Sequence, residues 1–151
     1  MKLARIGNPN KEKPIIVDKD NNYRDVSSVI KDFNSENLNF ETLEKLNNIK
    51  PEDLPILEKN QRIGACVHKP SKFIGIGLNF KDHAIEQNMP IPKEPIIFSK
   101  FTNSVSGPND DIVIPKNSNH TDWEVELGFV IGKKCSYAVS YTHLTLPTNG
   151  T

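Results

Sequence analysis

The run from Asp122 to Ile131 constrains this chain more than any other segment. Trp123, Val125, Leu127, Phe129 and Ile131 alternate with Asp122, Glu124 and Glu126, a period of two that predicts a strand with one apolar and one acidic face. Same-face neighbours on a strand lie ~7 Å apart, so Glu124 and Glu126 can converge on one cation. All-oxygen ligation of that kind favours Mg²⁺, Mn²⁺ or Ca²⁺ over zinc. The same pattern also describes the wet face of a half-buried antiparallel strand. Three acids on one face repel unless solvent or a cation screens them.

Upstream, the texture changes once. Pro14 to Val17, the turn-rich Asp18 to Asn22, and Tyr23 to Asp25 read as a hairpin. Ser27 is placed to cap a short helix carrying Val29, Ile30 and Phe33. Asn39 is placed to cap a second, in which Phe40, Leu43 and Leu46 repeat at helical spacing before Pro51. These elements predict a small α+β unit, and the Pro-, Gly- and Lys-rich stretch from Pro55 to Lys72 suggests a boundary near Pro70. Beyond it, Phe73 to Leu78 reads as a buried strand and Asn79 to Gln87 as a short helix. Pro90 to Pro95 reads as a stiff connection, Ile96 to Ser99 and Ile112 to Ile114 as strands, and Gly107 to Asp111 as a turn.

On the Asn79 to Gln87 helix, His83 and Glu86 share a face, so the carboxylate can orient the imidazole as a general base. An exposed pair of that spacing can equally be decoration contributing a few tenths of a kcal/mol. Gly75 and Gly77 do not open a dinucleotide-binding loop, because Phe80 occupies the third glycine position. His68, His120 and His143 share no ligand spacing and read as surface or loop residues. Cys66 and Cys135 lie far apart and read as reduced thiols of the small, buried, apolar kind.

Lys+Arg and Asp+Glu are both 19, which gives no electrostatic reason to expect nucleic acid or an anionic membrane. Lys2 and Arg5 interrupt the apolar residues at the amino end. No signal peptide or membrane span is therefore expected, which points to the cytoplasm and a small soluble substrate.

In order and spacing, the motifs beyond Lys72 resemble the fumarylacetoacetate hydrolase family. The matching residues are Gly75, Gly77, Leu78, Asn79 and Phe80, followed by Asp82, His83 and Glu86. Pro92, Pro95, Phe98, Lys100, Gly107, Pro108 and Ile112 to Pro115 follow, and Asp122, Glu124, Glu126 and Leu127 lead into Val130 to Lys133. The segment Lys2 to Asp25 is similar to the small amino-terminal domain of a bacterial branch. The resemblance implies an α+β, β-rich fold, with residues 1–70 as a small α+β domain and 71–138 as the first part of a mixed β-roll. It also implies a homodimer holding Mg²⁺ or Mn²⁺ on Glu124 and Glu126. His83 and Glu86 would be a water-activating pair on a lid helix, and Lys100 a substrate contact. Phe80 departs from a position often occupied by tyrosine.

The implied activity is carbon–carbon cleavage of small 2-oxo or 1,3-diketo acids through a metal-stabilised enolate. Isomerase, decarboxylase, hydratase and ureidoglycolate-lyase chemistries are alternatives on the same scaffold, and a non-catalytic β-rich binding module is the contrasting expectation. The family's third metal ligand is not found in this sequence. Residues 139–151 resemble the translation of a sequencing adapter and are set aside as a non-native tail. The chain itself is therefore expected to be an inactive fragment.

Overall fold

The computed structural model describes residues 1–134, 136 and 137. Cys135, His143 and the segment 139–151 lie outside the described residues. A four-stranded antiparallel sheet runs in chain order: β1 (Lys2–Ile6), β2 (Lys13–Val17), β3 (Tyr23–Asp25) and β4 (Ile56–Leu57). The expected hairpin is present, with Ile15 opposite Asp25 and Val17 opposite Tyr23. Its turn is built by Asp18, whose Oδ1 accepts the Asp20 and Asn22 N–H groups at 2.9 and 2.8 Å. Asn21 supplies the left-handed residue such a turn needs.

The core of this unit joins Ile16, Val26, Ile30, Phe33 and Leu46, with Leu3, Leu38, Ile49 and Leu54 packed against it. Helix α1 (Phe40–Asn47) starts as expected, the Asn39 side chain accepting from Thr42 N–H at 2.9 Å. Only Leu46 of its apolar repeat is fully buried; Phe40 is exposed. The helix expected from Ser27 does not form. Asp25 Oδ1 takes the Ser27 N–H, and Val29 and Ile30 both bond back to the Val26 carbonyl, giving a single turn. Asp32 is drawn to Arg5, and Asn34 Oδ1 takes the Glu36 and Asn37 N–H groups, so side chains claim the backbone before a helix can propagate. Ile30 and Phe33 reach the core regardless, while Val29 stays exposed.

A second, two-stranded sheet pairs β5 (Phe73–Gly77) with β6 (Ile96–Lys100). Gly75 lies opposite Phe98, and a Cβ there would collide with the Phe98 ring. The glycine thus makes room for a cross-strand aromatic, which gives the Gly75 and Gly77 pair a packing role. The expectation of a buried strand is corrected: Ile74 and Ile76 are exposed, as is all of β6, because no further layer among the described residues covers them. Helix α2 (Lys81–Glu86) follows β5, and Pro90 to Pro95 form the expected irregular connection.

Two expected strands are absent. Ile112 to Ile114 and Asp122 to Ile131 enter no ladder among the described residues, and Trp123 and Leu127 are 78% and 85% exposed. Alternation specifies which face a strand buries, but its backbone bonds require a second strand, and none of the described residues supplies one.

The turn at Gly107 ties the two parts together through a chain of alternating charges. Arg5, only 2% exposed, donates to Asp32 at 2.6 and 2.9 Å and to Glu12 at 3.2 Å. Glu12 also accepts from Arg62 at 2.8 Å, and Arg62 clasps both oxygens of Asp110. Asp110 in turn accepts the Gly107 N–H at 2.7 Å. Gly107 is buried so close to the Ile63 carbonyl that a Cβ would lie 2.3 Å from that oxygen. Burial works against ionisation of Glu12, but Arg62 and Arg5 hold its carboxyl below the usual range. Arg62 and the Gly107 N–H do the same for Asp110.

Candidate active site

Leu78 separates β5 from α2 with a φ of +47°. A leucine in this left-handed region stores strain of order 1–3 kcal/mol, so the surrounding structure must impose it. Asn79 and Phe80 come next, and α2 begins at Lys81 with Phe80 as an N-cap residue that offers no side-chain oxygen. Ala84 anchors the helix and is fully buried. His83 is half-buried and Glu86 exposed. They lie one helical turn apart, as the spacing predicts, yet no hydrogen bond joins them among the described residues.

Asn79 makes the contact that sequence reasoning missed. Its Nδ2 donates to Glu126 Oε2 at 2.9 Å, linking the start of α2 to the carboxylate segment. The missed signal is an asparagine beside a helix start, a position normally read as a cap. Glu124 is exposed and has no hydrogen-bond partner among the described residues. Lys100 stands at the end of β6 opposite Phe73, its Nζ 5.5 Å from that ring's centroid. It is thus held on the sheet by a cation–π contact, on the strand paired with the one that leads into α2.

The carboxylates have the hard-oxygen chemistry that Mg²⁺ or Mn²⁺ prefers, and the Asn79 bond leaves Glu126 Oε1 to another partner. Among the described residues no three His, Cys, Asp or Glu side chains gather to hold a metal ion. Glu124 and Glu126 by themselves thus do not make up a complete metal site among the described residues. Two pockets lie away from these residues: one is lined by Leu3, Ala4, Ile63, Cys66, Ser106 and Pro108, and another by residues of β2 and α1. Cys66 is a free thiol, exposed where a buried one was expected, and it lines the first of these pockets. His68 bridges to Asn34, and His120 is exposed. Among the described residues no helix is long and apolar enough to cross a membrane.

Residues 72–143 match the model of the fumarylacetoacetate (FAA) hydrolase C-terminal family, a match that continues into the segment set aside as a tail. Proteins of Burkholderia multivorans and Burkholderia cenocepacia, provisionally named hydrolases, are 53% and 54% identical over 135 residues, 89% of this chain and 48% of theirs. The chain thus spans about half the length of the curated relatives it matches. A crystal structure from Mycobacterium smegmatis, described provisionally as an HpcE protein, superimposes with a TM-score of 0.54 at 24% identity, covering 74% of this chain and 40% of that one. It shares the fold. From the matched motifs and the relatives at this identity, the chain belongs to the fumarylacetoacetate hydrolase family.

Proposed function

We propose that this chain carries the proton-transfer helix and two metal-binding carboxylates of a divalent-metal hydrolase or lyase acting on small 2-oxo or 1,3-diketo acids. The observation that supports it is the Asn79 to Glu126 hydrogen bond, which ties one of the two acids to the residue leading into the His83 and Glu86 helix. Glu124 and Glu126 would hold Mg²⁺ or Mn²⁺ together with donors from elsewhere in the protein. When bound, the ion would polarise the oxygens of the substrate's oxo and carboxylate groups.

The chain's own residues supply the proton traffic. His83 takes a proton from water, with Glu86 one helical turn away on the same face. The hydroxide adds to a carbonyl carbon, the adjacent carbon–carbon bond breaks, and its electron pair leaves on the departing carbon. His83 then returns the proton to that carbon. Ala84 seats α2, so His83 approaches substrate from an anchored element. Lys100 is available to pair with the substrate carboxylate from the end of β6.

The test is a chimaera in which residues 1–134 are followed by the remaining half of the Burkholderia cenocepacia relative, assayed on a panel of small 2-oxo and 1,3-diketo acids with Mn²⁺. Cleavage that needs Mn²⁺ and falls about 10²- to 10⁴-fold in His83→Ala is expected. Activity indifferent to His83→Ala, or to Glu124→Ala combined with Glu126→Ala, contradicts the proposal.

A further inference from the structure

The molecule uses asparagine at two helix starts in different ways. Asn39 spends its side-chain oxygen on the Thr42 N–H and caps α1. Asn79 is one residue further out from α2, makes no cap bond, and leaves the N-cap position to Phe80, which cannot cap. Helix α2 therefore starts without the stabilisation Asn79 would be expected to give it. The side chain instead donates across the sequence to Glu126 Oε2. The backbone immediately before it is Leu78, held in the left-handed region that a leucine avoids. An extended or right-handed Leu78 would turn the following residue in another direction, since φ and ψ are the backbone's only soft torsions.

We propose that Asn79 is a positioning residue for the Glu126 carboxylate, aimed at it by the left-handed backbone of Leu78. Its metal-related part rests on the function proposed above. By fixing Oε2, the Asn79 amide limits the carboxylate's rotation and presents Oε1 outward, the arrangement by which an outer partner orients a metal-binding carboxylate. Leu78 links that orientation to the frame of β5, whose strand pairing with β6 is continuous up to Gly77.

The test uses the full chain labelled with ¹⁵N-asparagine, in which the Asn79 side-chain amide is assigned by its disappearance in Asn79→Ala. Its resonance should move in Glu126→Ala and stay in place in Glu124→Ala. Leu78→Val, whose branched side chain disfavours left-handed backbone, should move it as Glu126→Ala does, and Leu78→Asn, which tolerates that backbone, should not. Far-UV circular dichroism confirms that each variant keeps its fold. An amide resonance unmoved by Glu126→Ala overturns the proposal. So does one that responds equally to both glutamate variants.

Mn²⁺ alone is then titrated into the wild-type chain and Asn79→Ala. A tenfold to hundredfold weaker affinity in Asn79→Ala is the size expected for loss of such an outer partner. Equal affinity in the two proteins overturns the positioning role. If the wild-type chain binds no Mn²⁺ while its amide still reports on Glu126, the titration is repeated in the chimaera described above, which adds the remaining donors; no binding there leaves the Asn79 to Glu126 link standing and overturns the divalent-metal function.

Discussion

Residues 13–17 and 122–131 are both β-prone, the first as a continuous apolar run and the second as an alternation, and they meet opposite fates. Both place apolar residues where a strand can bury them. The first becomes β2, paired on both sides by β1 and β3, with Ile15 and Ile16 both buried. The second pairs with nothing among the described residues and leaves Trp123, Val125, Leu127, Phe129 and Ile131 exposed. Patterning thus assigns faces, whereas burial and ladder bonds come only with a partner strand. The candidate chemistry sits on the part whose backbone is least closed, and the stability sits in the other.

The largest expected effect falls on the closed region. Arg5→Leu strands Glu12 and Asp32 without their buried guanidinium and should cost about 3–5 kcal/mol in urea unfolding followed by circular dichroism. A cost below about 1 kcal/mol would mean that the charge chain does not hold the amino-terminal unit. Gly107→Ala drives a methyl group into the Ile63 carbonyl and should cost about 1–3 kcal/mol, since the collision is with backbone. Unchanged stability there would show that Gly107 does not pack against the Ile63 carbonyl.

Acid acts on the same region. Burial alone would raise the Asp18 pKa, but bonds from Arg24, Asn22 and Asp20 lower it from 3.8 to about 2. A depressed folded pKa means that the stabilisation is complete above 3.8 and is lost as pH falls toward about 2. Glu12, Asp25 and Asp110 shift in the same direction. The midpoint of unfolding should therefore fall across that acid window, and Asp18→Asn should flatten the slope. The smallest effect belongs to the open segment. Leu127→Ser should change stability by less than about 0.5 kcal/mol, because the side chain buries little to lose.

Local chemistry was legible in the sequence wherever it completes itself locally. The Asp18 turn, the Asn39 cap and the short helix bearing His83 and Glu86 all form as their residues predict. The Ser27 helix was misread because Arg5 claims Asp32 from 27 positions away, a competition no local window contains. The role of Gly75 is visible only once Phe98 lies across from it. At the candidate site, His83, Glu86, Glu124 and Glu126 were legible as residue types at telling spacings. The bond that connects their two segments was not, because Asn79 and Glu126 are 47 positions apart.

Backbone hydrogen exchange tests the contrast most directly, measured in this chain and in the chimaera bearing the relative's second half. In this chain, amides of β1, β2 and β3 should be protected, whereas those of Asp122 to Ile131 should exchange as in an unstructured peptide. In the chimaera, alternate amides of Asp122 to Ile131 should become protected, as the segment gains the ladder its alternation specifies. If they stay unprotected in the chimaera, or are already protected in this chain, the carboxylate segment is not a strand that needs a partner, and the account is contradicted.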